Sequence, residues 1–172
     1  WEEISRAVKA GKIRFAGVSN FSREQVERVR KIHPVASLQP PYSMLRRDVE
    51  AEPLPWCAAN GIGVVAYSPM QTGLLTGAFT RERIAALPAD DWRRASPYFV
   101  EPELTKNLAL VEGLRAVAAR SGRTMAELAV AWVLRRPEVT SAIVGSRRPG
   151  QVDETAPAAD RPPEAPAPTM VF

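Results

Sequence analysis

The sequence is short of the residues that build disulfide frameworks and common metal sites. It contains one cysteine, Cys57, and one histidine, His33, among 172 residues. One cysteine excludes an internal disulfide, and the two residues together are too few for a zinc site of the usual His and Cys type. We therefore expect a packed Cys57, no metal centre and a reducing, cytoplasmic setting. His33 lies before the start of the following predicted strand, at the end opposite to the carboxyl end that builds a site, which favours a surface or capping role over a catalytic one.

Long apolar runs and blocks of like charge are also missing. No stretch approaches the ~20 apolar residues of a membrane-spanning helix, so no membrane segment is expected. The formal net charge is only +4, and the basic residues are dispersed, which gives no basis for a nucleic-acid surface. Four Arg-Arg pairs are typical of solvated helix or loop ends: Arg46-Arg47, Arg93-Arg94, Arg135-Arg136 and Arg147-Arg148. The serine hydrolase, zinc protease and P-loop motifs are absent as well.

The sequence does contain a regular alternation of short apolar strands and amphipathic helices. Strands are predicted over residues 13–18, 35–39, 62–67 and 139–144. Capping boxes at Ser22–Gln25 and Thr124–Glu127 predict the starts of two helices. The buried face of the first is predicted to consist of Val26, Val29 and Ile32, and that of the second to include Trp132. Residues 42–48, which follow the second strand, are predicted to form a loop. Such alternation predicts parallel βα units, in which the carboxyl ends of the strands build the functional site.

Three further segments need interpretation. The pattern of Ile4, Ala7 and Val8 reads as one face of a helix that starts before Trp1, so we expect the chain to be part of a longer protein. The irregular stretch 68–102 carries Trp92, Tyr98 and Phe99, which either wall a substrate cleft or anchor the loop. Residues 156–172 are rich in proline and alanine, and we expect them to be a disordered tail after a domain formed by residues 1–155.

The side chains at the strand ends suit binding better than acid–base chemistry. Asn20 and Gln39 offer amide groups, and Tyr67 offers a flat aromatic ring before a glycine-rich loop. Residues 145–148 (GSRR) precede a predicted helix, where a serine, an arginine and backbone N–H groups could hold a phosphate. An ordinary capped helix start is the alternative interpretation of that segment.

Four segments, in this order and at this spacing, resemble the aldo-keto reductase family. They are residues 11–21 (GKIRFAGVSNF), 38–43 (LQPPYS), 66–77 (AYSPMQTGLLTG) and 142–154 (AIVGSRRPGQVDE). The resemblance implies a (β/α)8 TIM barrel of which this chain covers about strands five to eight with their helices. It also implies an NADPH-dependent oxidoreductase that transfers hydride to a small aldehyde or ketone.

The resemblance assigns cofactor-binding roles to residues of all four segments. Ser19, Asn20 and Gln39 would hold the nicotinamide carboxamide, and Tyr67 would stack on the nicotinamide ring. Residues Ser68, Pro69, Met70, Gly73 and Leu75 would line the pyrophosphate. At the adenosine end, Gly145, Ser146 and Arg147 would hold the 2′-phosphate, with Gln151 and Glu154 beside them.

The resemblance also implies what this chain does not carry. The catalytic Asp, Tyr, Lys and His of the family lie on strands one to four, so no catalytic residue is expected here. Thr155 stands where the family commonly has an adenine-binding Asn. The alternatives are a non-catalytic nucleotide-binding or regulatory subunit and an inactive fragment. Open sheet edges would allow self-association.

Overall fold

The computed structural model describes residues 1–160, which divide into two compact units. The first, called the sheet unit, comprises Trp1–Pro69 and Trp132–Gly145. The second, called the helical unit, comprises Met70–Ala131 and residues 146–160. Residues 161–172, which form most of the predicted tail, lie outside the described residues.

The sheet unit contains four parallel strands in sequential order. They are β1 (Gly17–Ser19), β2 (Ser37–Gln39), β3 (Gly63–Tyr67) and β4 (Val139–Ile143), and each is hydrogen-bonded to the next. The four predicted strands are confirmed, although β1 and β2 are shorter than predicted. Sequential order without reversal is that of consecutive strands in a (β/α)8 barrel, whereas an open doubly wound sheet reverses its order.

The strand register places buried side chains on one face of the sheet and more exposed residues on the other. Val18, Leu38 and Val64 are paired neighbours and belong to the buried core, whereas the residues flanking them are partly or fully exposed. Between β3 and β4 the register shifts after Val64, which leaves Thr140 as a bulge residue. The Thr140 hydroxyl accepts a hydrogen bond from the backbone N–H of Val64 at 3.2 Å. This N–H group therefore keeps a hydrogen-bond partner at the bulge.

Three helices accompany the strands of the sheet unit: α1 (Glu2–Lys9), α2 (Arg23–Arg30) and α3 (Pro53–Ala59). The predicted capping box of α2 is confirmed in both directions between Ser22 and Gln25. In α1 the predicted face of Ile4, Ala7 and Val8 is only partly covered, since Ile4 is 38% exposed while Ser5 is buried. Ile32, assigned to the buried face of α2, lies beyond its end and is 47% exposed.

The core of the sheet unit is a single cluster around β1–β4, and it includes two residues predicted to be packed. Cys57 and Trp132 both belong to it. Burial raises the pKa of the Cys57 thiol to about 11, against an opposing effect of Arg30. Tyr42 lies in a loop, as predicted, but its side chain is fully buried in this cluster, with the ring centre 5.4 Å from that of Trp132.

The helical unit contains one long helix and several short helical segments. The 3₁₀ segments are Gln71–Thr76, Trp92–Ala95, Pro97–Phe99 and Ala156–Ala159, and the α-helices that start in this unit are α4 (Arg81–Ala85), α5 (Glu103–Arg120), α6 (Met125–Leu134) and α7 (Gly150–Thr155). Phe99 is buried with its ring 5.2 Å from that of Phe79, which belongs to the same irregular stretch. The stretch is anchored to α5 next to Phe99, where the Tyr98 carbonyl accepts the side-chain N–H of Asn107 at 3.0 Å. Trp92 is 63% exposed and has no such role.

The first residues of the predicted tail are ordered, which corrects its boundary. Residues 156–159 form a 3₁₀ helix in which Ala158 is buried, so the packed part of the chain extends beyond residue 155. The proline in this segment stands in the first turn, where a missing N–H is tolerated. Among residues 1–160 no helix has both the length and the apolar character that crossing a membrane requires. The same residues include no group of three metal-ligating side chains.

Candidate functional site

Polar groups collect at the carboxyl edge of the sheet, as predicted for parallel strands. Ser19 and Gln39 are register partners at the ends of β1 and β2, and Tyr67 ends β3. The Ser19 hydroxyl donates to the Gln39 carbonyl at 3.0 Å, and the Asn20 backbone N–H donates to the same oxygen at 3.2 Å. The ends of β1 and β2 are therefore fixed to each other just where their side chains reach solvent.

The side chains of Asn20 and Tyr67 meet across this edge. The Tyr67 hydroxyl donates to Asn20 Oδ1 at 3.2 Å. Asn20 adopts a left-handed conformation with φ of 58°, and Ser68, the residue after Tyr67, does so with φ of 56°. Left-handed backbone at non-glycine residues is unfavourable and clusters at ligand-binding positions. This edge thus presents an aromatic ring, a carboxamide and a hydroxyl group in one place.

Two backbone hydrogen bonds fix the position of Tyr67. Its N–H donates to the Pro40 carbonyl at 3.0 Å, and its carbonyl accepts the N–H of Tyr42 at 3.1 Å. Pro41 lies between them as an isolated bridge partner of Tyr67. The ends of β2 and β3 are therefore tied together through the segment that carries Tyr42.

A half-buried charged network holds the Tyr42 side chain. Its hydroxyl donates to Glu50 Oε1 at 2.5 Å, and Arg135 donates to the same carboxylate oxygen at 3.0 Å and to the Tyr42 hydroxyl at 3.1 Å. Arg47 donates twice to Glu50 Oε2, at 2.7 and 3.0 Å. The Arg135 guanidinium lies 3.5 Å from the centre of the Trp132 ring. Burial and the Glu50 hydrogen bond raise the pKa of Tyr42 well above its usual range.

The Glu50 carboxylate stays ionised because its partners outweigh burial. Burial alone would raise its pKa, but hydrogen bonds from Arg47, Tyr42 and Arg135 lower the pKa to about 2. Reading Arg135 as a solvated helix-end residue is therefore wrong, since its side chain is 19% exposed and fully engaged. Four charge-assisted hydrogen bonds, donated by three residues to one carboxylate, fix the segment after β2.

The loop predicted to line a pyrophosphate opens the helical unit. Gln71 and Thr72 have left-handed backbone, with φ of 47° and 53°, and Gly73 has φ of 97°. A Cβ on Gly73 would lie 3.1 Å from the Phe79 ring, so glycine is required there for space as well as for conformation. The Leu75 side chain is buried, and so is that of Pro69 in the sheet unit. These two residues can offer a ligand only their backbone.

A cavity of about 490 Å³ in the helical unit is lined by Arg83, Arg147, Arg148 and Gln151. The Gln151 side-chain oxygen accepts the backbone N–H of Arg147 at 2.8 Å and that of Arg148 at 3.1 Å. These contacts hold the segment before α7 in a turn in which both Arg147 and Arg148 line the cavity. Three arginines around one cavity match the charge of a phosphate group.

The structure brings together part of the predicted set in each unit. In the sheet unit Ser19, Asn20, Gln39 and Tyr67 form one cluster at the strand ends. Arg147 and Gln151 of the predicted set share the cavity in the helical unit. Met70 is half-buried beside the loop, and Gly145, Ser146 and Glu154 are exposed.

Several residues of interest carry no motif that singles them out. They are Arg83 and Arg148 at the cavity, and Tyr42, Glu50 and Arg135 in the network. Tyr42 and Arg148 lie within the segments 38–43 and 142–154, and Arg135 and Arg148 stand in Arg-Arg pairs, but none of these patterns assigned them a role. Arg83 and Glu50 carry no sequence signal at all. His33 is placed as predicted, away from the carboxyl edge, with its carbonyl accepting the Trp1 indole N–H at 2.9 Å.

Comparison with known proteins gives a family match over nearly the whole chain. The family model "Aldo/keto reductase family" matches residues 1–164. The aldo-keto reductase YhdN of Bacillus subtilis is 38% identical over 157 residues, covering 88% of this chain and 47% of that protein. The probable aldo-keto reductase 1 of Glycine max is 33% identical over 152 residues, covering 88% of this chain and 43% of the other.

Solved structures give the same result. The glycerol dehydrogenase AKR11B4 from Gluconobacter oxydans superposes with a TM-score of 0.83 at 37% identity, over 89% of this chain and 46% of that one. The thermostable aldo-keto reductase Tm1743, solved with the inhibitor epalrestat, superposes with a TM-score of 0.64 at 25% identity, over 92% of this chain and 47% of that one. The chain thus spans about half the length of each of these four relatives.

Proposed function

Because the chain belongs to the aldo-keto reductase family, we propose that it supplies the cofactor-binding part of an enzyme that reduces aldehydes or ketones with NADPH. Members of this family are oxidoreductases that act on small carbonyl compounds. The sequential parallel sheet and a length of about half the relatives support the view that these strands are the fifth to eighth of a (β/α)8 barrel.

The observation that carries this proposal is the cluster at the carboxyl edge of the sheet. A nicotinamide needs a flat apolar surface for its ring and hydrogen-bonding groups for its carboxamide. Tyr67 offers the surface, and Ser19, Asn20 and Gln39 offer donors and acceptors beside it. The left-handed backbone of Asn20 and Ser68 gives this edge the strained geometry typical of binding positions.

The role proposed for each group in the reaction follows from the side chains that this chain contains. NADPH, when bound, supplies the hydride that adds to the substrate carbonyl carbon. Tyr67 orients the ring by stacking, and the amide groups of Asn20 and Gln39 fix which ring face is presented. Arg147 would neutralise the 2′-phosphate at the helical-unit cavity. We assign the proton donor to a part of the enzyme outside this chain, since Tyr67 is committed to the ring.

The proposal is tested by titrating the 172-residue chain with NADPH and following nucleotide fluorescence. Tyr67→Ala removes the stacking surface, and we expect a loss of up to about tenfold in affinity. Tyr67→Phe keeps the ring and should bind within about threefold of the wild type, because it loses only the hydrogen bond to Asn20. Trp92→Ala, which removes an exposed aromatic side chain, is the control and should change nothing. Undiminished affinity in Tyr67→Ala would overturn the stacking assignment.

Turnover separates this proposal from a purely regulatory role. We expect NADPH binding without carbonyl reduction by this chain alone, and reduction once the barrel is complete. Reduction by the chain alone at the rate of a full-length relative would show that the proton donor lies within it. Binding that never leads to turnover, even in the complete barrel, would favour the nucleotide-binding regulatory subunit.

A further inference from the structure

Arg83 has no assigned role, yet it shares a cavity with the arginines of the predicted phosphate segment. It lies on α4, more than sixty positions before Arg147 in the sequence, and both side chains line the same 490 Å³ space. Arg148 and Gln151 complete the lining. The cavity therefore carries three positive charges and no negative one among the residues that form it.

The three cavity arginines differ from most others in their partners. Nine arginines make ion pairs with carboxylates, including Arg81 on the same helix as Arg83. Over the described part of the chain no ion pair is formed by Arg83, Arg147 or Arg148. Like charges gathered without counter-charges repel each other, and a bound anion removes that cost. The cavity is therefore electrostatically complementary to an anion.

Local contacts hold the Arg83 guanidinium in place before any ligand arrives. Its Nη1 donates to the Ala78 carbonyl at 2.8 Å, and its guanidinium carbon lies 4.8 Å from the centre of the Phe79 ring. Phe79 is itself buried. The start of α4 is fixed by Thr80, whose hydroxyl accepts the Arg83 N–H at 3.2 Å. A preorganised side chain loses less entropy when it binds, so this arginine is suited to a specific contact.

We propose that Arg83 is a specificity-determining residue that binds the 2′-phosphate of NADPH together with Arg147. A phosphate monoester carries about two negative charges at neutral pH, so one arginine neutralises only half of it. Arg83 supplies the second positive charge from α4, and Arg148 adds to the positive electrostatic potential of the cavity. This inference rests on the proposed use of NADPH, and it assigns the discrimination against NADH to two separate segments of the chain.

The test compares ligands that differ in the 2′-phosphate, measured by calorimetry on the 172-residue chain. The ligands are 2′,5′-ADP against 5′-AMP, and NADPH against NADH. For the wild type we expect both phosphorylated ligands to bind at least about tenfold more tightly than their partners. Arg83→Ala should lose about tenfold in affinity for 2′,5′-ADP and NADPH, and less than about twofold for 5′-AMP and NADH.

Two further variants distinguish a direct contact from a general effect of charge or folding. Arg83→Lys keeps the charge without the planar fork and should recover part of the loss. Arg120→Ala, at the exposed end of α5, removes the same charge away from the cavity and should leave all four affinities unchanged. Lowering the pH from 7 to 5 protonates the phosphate, so the preference of the wild type should shrink and that of Arg83→Ala should change little.

The outcomes separate failure of this inference from failure of the proposed function. If the wild type prefers the phosphorylated ligands and Arg83→Ala keeps the full preference, the role of Arg83 is wrong while NADPH binding stands. Equal losses for all four ligands would assign Arg83 a merely structural role. If the wild type binds neither NADPH nor NADH, the proposed function itself fails. Binding of 2′,5′-ADP without binding of NADPH would overturn the nicotinamide site and leave the role of Arg83 intact.

Discussion

Replacing Glu50 by Gln removes one negative charge from the network that holds Tyr42, while it keeps the shape of the side chain. In the wild type the carboxylate receives hydrogen bonds from Tyr42, Arg47 and Arg135. A carboxamide has one acceptor oxygen, and its NH₂ group would face a donor. Arg135, which is only 19% exposed, would then hold a charge without a counter-charge in the network.

The size of the effect follows from the pKa of Glu50. A fall to about 2 in the folded chain corresponds to about 3 kcal/mol of stabilisation when the carboxylate is ionised. Glu50 is 17% exposed, so solvent screening reduces this figure only modestly. Loss of one partner from a half-buried ion pair costs a similar amount. We therefore expect Glu50→Gln to lower the free energy of unfolding by about 2–4 kcal/mol at pH 7.

The assay is urea unfolding of the 172-residue chain, followed by far-UV circular dichroism at pH 7 and at a series of lower pH values. The folded pKa of Glu50 lies below its unfolded value, so its stabilisation is complete above about pH 5 and disappears as the pH falls towards 2. The difference in the free energy of unfolding between wild type and Glu50→Gln should therefore decrease as the pH falls from about 5 to 2. Glu52→Gln is the matched control, since Glu52 pairs with Arg23 at 3.4 Å on an exposed surface. The urea midpoint of this variant should equal that of the wild type.

A difference below about 1 kcal/mol at pH 7, or a gap that does not depend on pH, would refute the reasoning. If Glu50→Gln fails to fold, Tyr42→Phe tests the same network more gently. It removes one hydroxyl whose bond to Glu50 measures 2.5 Å, and we expect a loss of about 1–2 kcal/mol.

Two other predictions concern Gly73 and Cys57. Gly73→Ala should destabilise the chain by about 1–2 kcal/mol, because φ is 97° and the new Cβ would lie 3.1 Å from the Phe79 ring. Gly113→Ala, in the middle of α5 with open space around it, should instead stabilise by about 0.5–1 kcal/mol. In thermal melts an unchanged or higher melting temperature for Gly73→Ala would contradict the first argument, and a lower one for Gly113→Ala the second. Burial raises the Cys57 pKa to about 11, so iodoacetamide at pH 8 should label the native chain far more slowly than the chain in guanidinium; equally fast labelling, read by mass spectrometry, would show that the thiol is accessible.

The parts of the fold that could be predicted from sequence are those set by neighbouring residues. The strands are recognisable as short apolar runs, and the start of α2 is predicted by the capping box formed by Ser22 and Gln25. The side chains at the strand ends could be grouped because parallel strands deliver their carboxyl ends to one edge. The local prediction that failed is Ile32, which continues the periodic pattern of α2 but lies beyond its end and is 47% exposed.

The parts that could not be predicted join residues far apart in the chain. Tyr42 and Glu50 are eight positions apart, but Arg135 reaches them from more than eighty positions away. Arg83 on α4 and Arg147 in the segment before α7 likewise meet at one cavity although more than sixty positions separate them. Each of these residues is ordinary in its own neighbourhood. Only tertiary packing decides that Arg135 is engaged with a carboxylate while the cavity arginines remain available to an anion.

The network around Glu50 also connects stability with the geometry of the strand-end cluster. Tyr42 belongs to both, since its hydroxyl is held by Glu50 while its backbone N–H donates to the Tyr67 carbonyl. Left-handed backbone at Asn20 and Ser68 persists only where the surroundings fix it, and the bonds through Tyr42 are part of what fixes Ser68. Glu50→Gln should therefore weaken NADPH binding as well as stability. Glu52→Gln should do neither, and normal NADPH affinity in a folded but destabilised Glu50→Gln would show that the network supports the core alone.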